Sequence, residues 1–187
     1  MPTSPTTGAI AIMLVAGGWL YFSGRLDPLI EAYQRAGLPA DEVAFVATVQ
    51  QAKQRWTDAP NDIQREGMVT ARNNALCGMP ANVSDWTGRI KRVGTYLALD
   101  KVALAVTLTP SITLRTEGDL QDAGTKVARG TPLFDSVATL AEGQQVRFSG
   151  NFLQGDKTCR VETSLTNNGS MTDPAFEFAF TKVEANR

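Results

Sequence analysis

Two cysteines and a scatter of cations and carboxylates are all the reactive chemistry this 187-residue chain offers, because it contains no histidine. That absence removes Ser-His-Asp and Cys-His catalysis, His-ligated zinc and His-based pH switching together. Cys77 and Cys159 are too few for a cysteine-only zinc site; they suit either one disulfide or two inert buried thiols. The carboxylates are dispersed along the sequence, and neither a phosphate-cradling glycine loop nor a nucleophile elbow occurs. No catalytic residue, cofactor or metal site is therefore assigned, and the chain reads as a non-enzyme.

Binding chemistry is better represented. Arg89, Lys91, Arg147 and Arg160 fall at outward positions of strand-like runs, and Glu162 shares the face of Arg160, so these five form the candidate binding face. The plain alternative is a set of solvated edge charges, with Glu162 as a cross-strand ion-pair partner contributing well under about 1 kcal/mol. Barrels that bind single-stranded nucleic acid add exposed aromatics on which bases stack. Here the strand phenylalanines all fall on the inward side, and from Gly78 onward basic and acidic side chains balance. A basic footprint for phosphates is missing, so nucleic acid is the second reading and a protein partner the first.

The elements that must hold this face are short strands. Leu140 to Phe152 is the most informative stretch: Val146, Phe148 and Phe152 share one face with Gly150, while Gln145, Arg147, Ser149 and Asn151 take the other. Gly150 marks a bulge or sharp bend where two backbones approach closely. Before it, Trp86, Gly88 and Ile90 alternate with polar residues from Asp85 on. Val102, Leu104, Val106 and Leu108 form a second strand, and Ile112 and Leu114 a third beyond Pro110. Glu117 to Gly130 reads as a surface loop, and Thr131-Pro132 starts a short helix. Cys159, Val161, Thr163 and Leu165 predict a further strand, Asn167-Asn168-Gly169 a turn, and Phe176, Phe178, Phe180 and Val183 the closing strand.

Upstream the period is helical. Asp27-Pro28 opens a short helix stopped by Gly37; Pro39 opens a longer one with Val43, Val46, Val49 and Trp56 on one side; Asn61 caps a third that runs to Cys77-Gly78. Residues 8–22, GAIAIMLVAGGWLYF, carry no charge and predict a single membrane anchor, with a cleaved signal peptide as the main rival. The expected organisation is α+β: an anchor over 1–25, a helical layer over 26–78, and over 79–187 a barrel of five to six strands with one short helix. Three strands, a helix, then two or three strands is the order of an OB-fold barrel.

The segment from Asp85 to Glu184 resembles the tRNA-anti-like OB-fold domain of bacterial membrane-anchored proteins of uncharacterised function. The resemblance rests on Trp86-Thr-Gly88, on Leu140-x-x-Gly143-x-x-Val146-x-Phe148-x-Gly150-x-Phe152, on Cys159-x-x-Glu162-x-x-Leu165-Thr166 and on Pro174-x-Phe176-x-Phe178-x-Phe180. Ala75-Leu76-Cys77 at the end of the helical segment belongs to it too. It implies no activity and no cofactor. It implies a protein anchored in the bacterial membrane; an anchor plus a barrel with no catalytic set is expected to be a single-pass inner-membrane binding or assembly module, with a membrane-tethered single-stranded nucleic-acid binder as the alternative. It also carries both cysteines, so that a Cys77–Cys159 disulfide would staple the helical layer to the sheet in an oxidising compartment. Arg25 and Arg35 after the anchor argue for a cytoplasmic barrel by the positive-inside rule, but two flanking arginines weigh less than the cysteine pair, and the barrel is expected on the periplasmic side.

Overall fold

The computed structural model describes residues 37–96, 101–116, 125–155 and 158–186, together with a two-residue ladder that pairs Leu14–Val15 with Gly18–Trp19. Apart from that ladder, the expected anchor over 8–22 lies outside the described residues, as does the helix expected from Asp27-Pro28. Among the described residues no helix is long and apolar enough to cross a membrane.

Helix α1, Ala40–Asp58, starts where Pro39 fixes the backbone, with Asp41 and Glu42 in the first turn and Arg55 in the last, complementing its dipole. The third helix expected from Asn61 is two pieces. Asn61 caps α2, Asp62–Arg65, by accepting from the Gln64 amide, and α3, Met68–Cys77, begins anew after Gly67 at φ 79°. A left-handed residue cannot continue an α-helix, so the glycine splits the run.

The barrel follows. Strands β1, Asn82–Tyr96, β2, Lys101–Thr109, and β3, Ile112–Arg115, lead through β4, Val127–Ala128, and helix α4, Pro132–Ala138, to β5, Gln145–Phe152. Helix α5, Asn167–Thr172, precedes β6, Ala175–Ala185. The order β1–β5–β6–β3–β2 closes because β2 pairs back on β1, with β3 and β6 parallel and the other pairings antiparallel. The result is a closed five-stranded, OB-fold-like barrel, with β4 added at the edge of β2. Inward alternation is regular in β2 and β5, where Val102, Leu104, Val106 and Leu108 and then Val146, Phe148, Gly150 and Phe152 are buried.

Gly150 is required by close approach: a Cβ there would lie inside the Ala179 carbonyl oxygen and the Phe178 ring. Helix α1 plugs one end of the barrel with Phe45, whose ring lies 5.3 Å from Trp86, 5.0 Å from Phe152 and 5.3 Å from Phe176. Val46 and Val49 join that core, whereas Val43 packs in a smaller cluster with Ala47 and Leu38. Trp56 is half-buried and donates to Asn168 Oδ1 at 3.2 Å, tying α1 to α5.

Three expectations are corrected. Residues 159–165 do not form a strand: a single bridge pairs Glu162 with Phe176, and Leu165 is 99% exposed. Cys159, Arg160 and Glu162 are taken up by α3 and the turn after it instead of by a neighbouring strand, so alternation in type did not become a ladder. The turn expected at Asn167-Asn168-Gly169 is the opening turn of α5, capped by the Thr166 hydroxyl accepting from the Gly169 amide. At the end of the expected surface loop, Thr125, Lys126 and Val127 are buried where β4 pairs with β2.

Candidate functional site

The bulge in β1 between Ile90 and Arg92 decides the layout of the outer wall. Before it, Thr87 and Arg89 face outward opposite Arg147 and Gln145 of β5. After it the outward set shifts by one residue, which leaves Lys91 and Arg92 both exposed. The single face expected from parity is therefore two grooves.

The first groove, about 860 Å³, is lined by Asp85, Arg89, Arg147, Thr87, Thr107 and Thr109. Arg89 donates to the Gly143 carbonyl, which holds it along the turn into β5. Asp85 has a φ of 57°, a left-handed conformation at the β1–β5 bulge that aspartate tolerates better than most residues, and its amide donates to Ser149 Oγ at 3.0 Å. The second groove, about 570 Å³, has a floor of small residues, Gly94, Ala103, Ala105 and Ala175, walled by Lys91, Arg92 and Arg115, with Glu142 at its rim. Lys91 donates to Thr113 Oγ1 at 3.2 Å. Three cations against one carboxylate make this the more positive of the two.

Two expected face residues lie elsewhere. Arg160 is 6% exposed, not outward: its Nη2 donates to the carbonyls of Leu76, Met79 and Pro80 at 3.2, 3.2 and 3.0 Å, and the guanidinium lies 4.0 Å from the Phe152 ring centre. Nε and Nη1 have no partner, and burial pulls its pKa down to about 10. Glu162 does not pair with Arg160. It accepts from the buried Arg72 and, at 2.7 Å, from Ser170 Oγ, while Arg72 also donates to the Ser170 carbonyl. Burial raises the Glu162 carboxyl, against the pull of Arg72 and Ser170. This Ser170–Glu162 contact is no nucleophile–base pair, because Arg72 holds the carboxylate as an ion-pair acceptor. Parity failed at both positions because it presumed a strand where there is none.

Sequence reasoning also missed Glu42. It is fully buried, and its carboxylate accepts from the Thr87 amide at 3.0 Å and the Thr87 hydroxyl at 3.1 Å; Asp41 beside it accepts from Trp86 Nε1 at 3.0 Å. Burial, with Asp41 adding to it, pushes Glu42 from 4.5 up to about 7 against the Thr87 bonds. In sequence both acids look like ordinary first-turn carboxylates. A helix that docks by its N-terminus, with a Trp-Thr pair awaiting it, carries no local signature.

Cys77 and Cys159 are joined by a disulfide, with Cα atoms 5.4 Å apart, linking the end of α3 to the β5–β6 connection. Among the described residues no cluster of cysteines and acids is arranged to hold a metal ion. No protein-family model, curated protein or solved structure matches the chain.

Proposed function

We propose that this chain is a non-catalytic binding module of the bacterial envelope, tethered through residues 8–22, whose barrel wall at β1–β2–β3 holds an extended anionic ligand or an acidic segment of a partner protein. The observation that carries the reading is the second groove: Lys91, Arg92 and Arg115 stand round a floor with no side chain larger than a methyl group at Gly94, Ala103, Ala105 and Ala175. Such a floor admits a chain lying against the sheet, and the cations supply charge-assisted contacts along it. Arg92 makes no hydrogen bond or ion pair within the described residues, so its guanidinium is open to a ligand. The disulfide supports an oxidising compartment for the barrel.

The second reading, a membrane-tethered binder of single-stranded nucleic acid, is favoured by the same cations but lacks stacking surfaces: Phe148, Phe152, Phe176, Phe178 and Phe180 are all buried. Fluorescence anisotropy with labelled polyglutamate and a labelled single-stranded oligonucleotide separates the two. Saturable binding of polyglutamate, tighter than that of the oligonucleotide and lost in the Lys91→Ala, Arg92→Ala, Arg115→Ala triple variant, is expected. Binding of the oligonucleotide alone moves the chain to the second reading, and no binding of either at low salt removes the groove as a ligand site.

A further inference from the structure

Three residues within one short stretch of the β5–β6 connection are fastened to the same helix. Cys159 is bonded to Cys77, Arg160 donates to the carbonyls of Leu76, Met79 and Pro80, and Glu162 pairs with Arg72. Among the described residues the backbone of the connection is also bonded to β6, through Leu153 to Glu177, Glu177 to Val161 and Thr163 to Ala175, and within itself, through Val161 to Leu153 and the mutual Gly155–Thr158 pair. Arg160 is the unusual member. Its charge is stacked between Phe152 and Phe45 with no carboxylate among its partners in the described residues, so the carbonyls of Leu76 at the end of α3 and of Met79 and Pro80 just beyond it are what compensates it. A buried cation stripped of such partners is expelled, because desolvation without compensation costs far more than the packing it leaves behind. The Leu76 carbonyl belongs to the last turn of α3 and those of Met79 and Pro80 to the segment that leaves it, and Cys77, the final residue of the helix, is bolted to the neighbour of Arg160.

We propose that the Cys77–Cys159 disulfide is a redox-sensitive latch: oxidised, it keeps Arg160 under the end of α3, and reduced, it releases Arg160 and the residues next to it, 158–162, from the aromatic end of the barrel. The step is thiol–disulfide exchange with a dithiol. Two electrons and two protons pass to the protein, giving free Cys77 and Cys159 thiols, and the reductant leaves as its own disulfide. Cys77 is exposed, so an incoming thiolate reaches the bond from that side. The inference is independent of the wall groove, which lies on other strands.

The test compares oxidised protein with protein treated with dithiothreitol. Trypsin is expected to leave the bond after Arg160 intact in the oxidised form and to cut it about tenfold faster after reduction, as the first new fragment seen by mass analysis, with more binding of an apolar-surface dye. In Arg160→Met, which fills the same space without a charge, reduction is expected to leave dye binding at the oxidised level. Three results overturn the latch: no change on reducing the wild type, equal opening of the Arg160→Met variant, or new cuts at Arg72 and Arg147 together with Arg160. The last marks global unfolding, and it is read on the wild type alone, so the test survives if the variant fails to fold.

Discussion

Arg160 and Glu42 are buried groups of opposite charge, Arg160 beneath the end of α3 and Glu42 in the first turn of α1, and among the described residues neither has a partner of opposite sign. For Arg160, truncation to alanine removes both the ring stacking and the bonds to three carbonyls. The expected loss is about 2–4 kcal/mol in urea unfolding of the oxidised protein, and a loss under about 0.5 kcal/mol would mean the side chain is solvated. For Glu42 the sign follows from the raised carboxyl. Folding favours its protonated form, so the stabilisation is complete below about pH 4.5 and lost as pH rises to about 7. The interval corresponds to about 3 kcal/mol. Glu42→Gln keeps the shape and removes the titration, so the variant is expected to gain on the wild type between pH 4.5 and 8. A stability difference that stays flat over this range would show that Glu42 does not titrate there.

Elements impose their own demands. Where β5 crosses β6, Gly150 leaves no room for a methyl group, and the obstacle is the Ala179 backbone as well as the Phe178 ring. Gly150→Ala must therefore push the paired strands apart, and a loss of about 2–4 kcal/mol is expected from its thermal unfolding; a near-neutral variant would mean the strands are further apart than described. The disulfide spans 82 residues, and in the chain-entropy account its removal in Cys77→Ser, Cys159→Ser costs about 4 kcal/mol in denaturant titration. At this scale the barrel strands were legible, because one face of each is buried and the period of two survives in β2 and β5. The 159–165 segment alternates just as well yet forms no ladder. Alternation reports which residue types recur and says nothing of which neighbour takes them.

The molecule is a barrel plugged at one end by helices; its first groove borders the start of α1 through Gly37, Leu38 and Pro39, whereas the Lys91, Arg92 and Arg115 groove has no residue of α1, α2 or α3 in its lining. Binding and stability are therefore separable. The Lys91, Arg92, Arg115 triple alanine variant is expected to unfold within about 0.5 kcal/mol of the wild type while losing polymer binding, since exposed charges contribute little to folding. If all three contact an oligonucleotide, the slope of log affinity on log salt is about −2, and the variant's slope approaches zero. A variant that unfolds early would mean the three side chains support the wall itself.

The residues alone carried the α+β class, the short helix that leads into β5, and the inward faces of β1, β2, β5 and β6. Those follow from periodicity and turn chemistry, which act over a few residues. The sequence also marked Cys77 and Cys159 as a possible pair, and separately placed Arg160 and Glu162 on an outward binding face, whereas both are turned towards α3. Only the tertiary structure decided that the bulge at Ile90 divides the cationic wall into two grooves, that α1 plugs the barrel with Phe45 and Glu42, and that Arg160 lies inside, beneath the end of α3. Each of these depends on which segment arrives to cover an exposed face, and that is settled by burial between residues far apart in the chain, where no local pattern reaches.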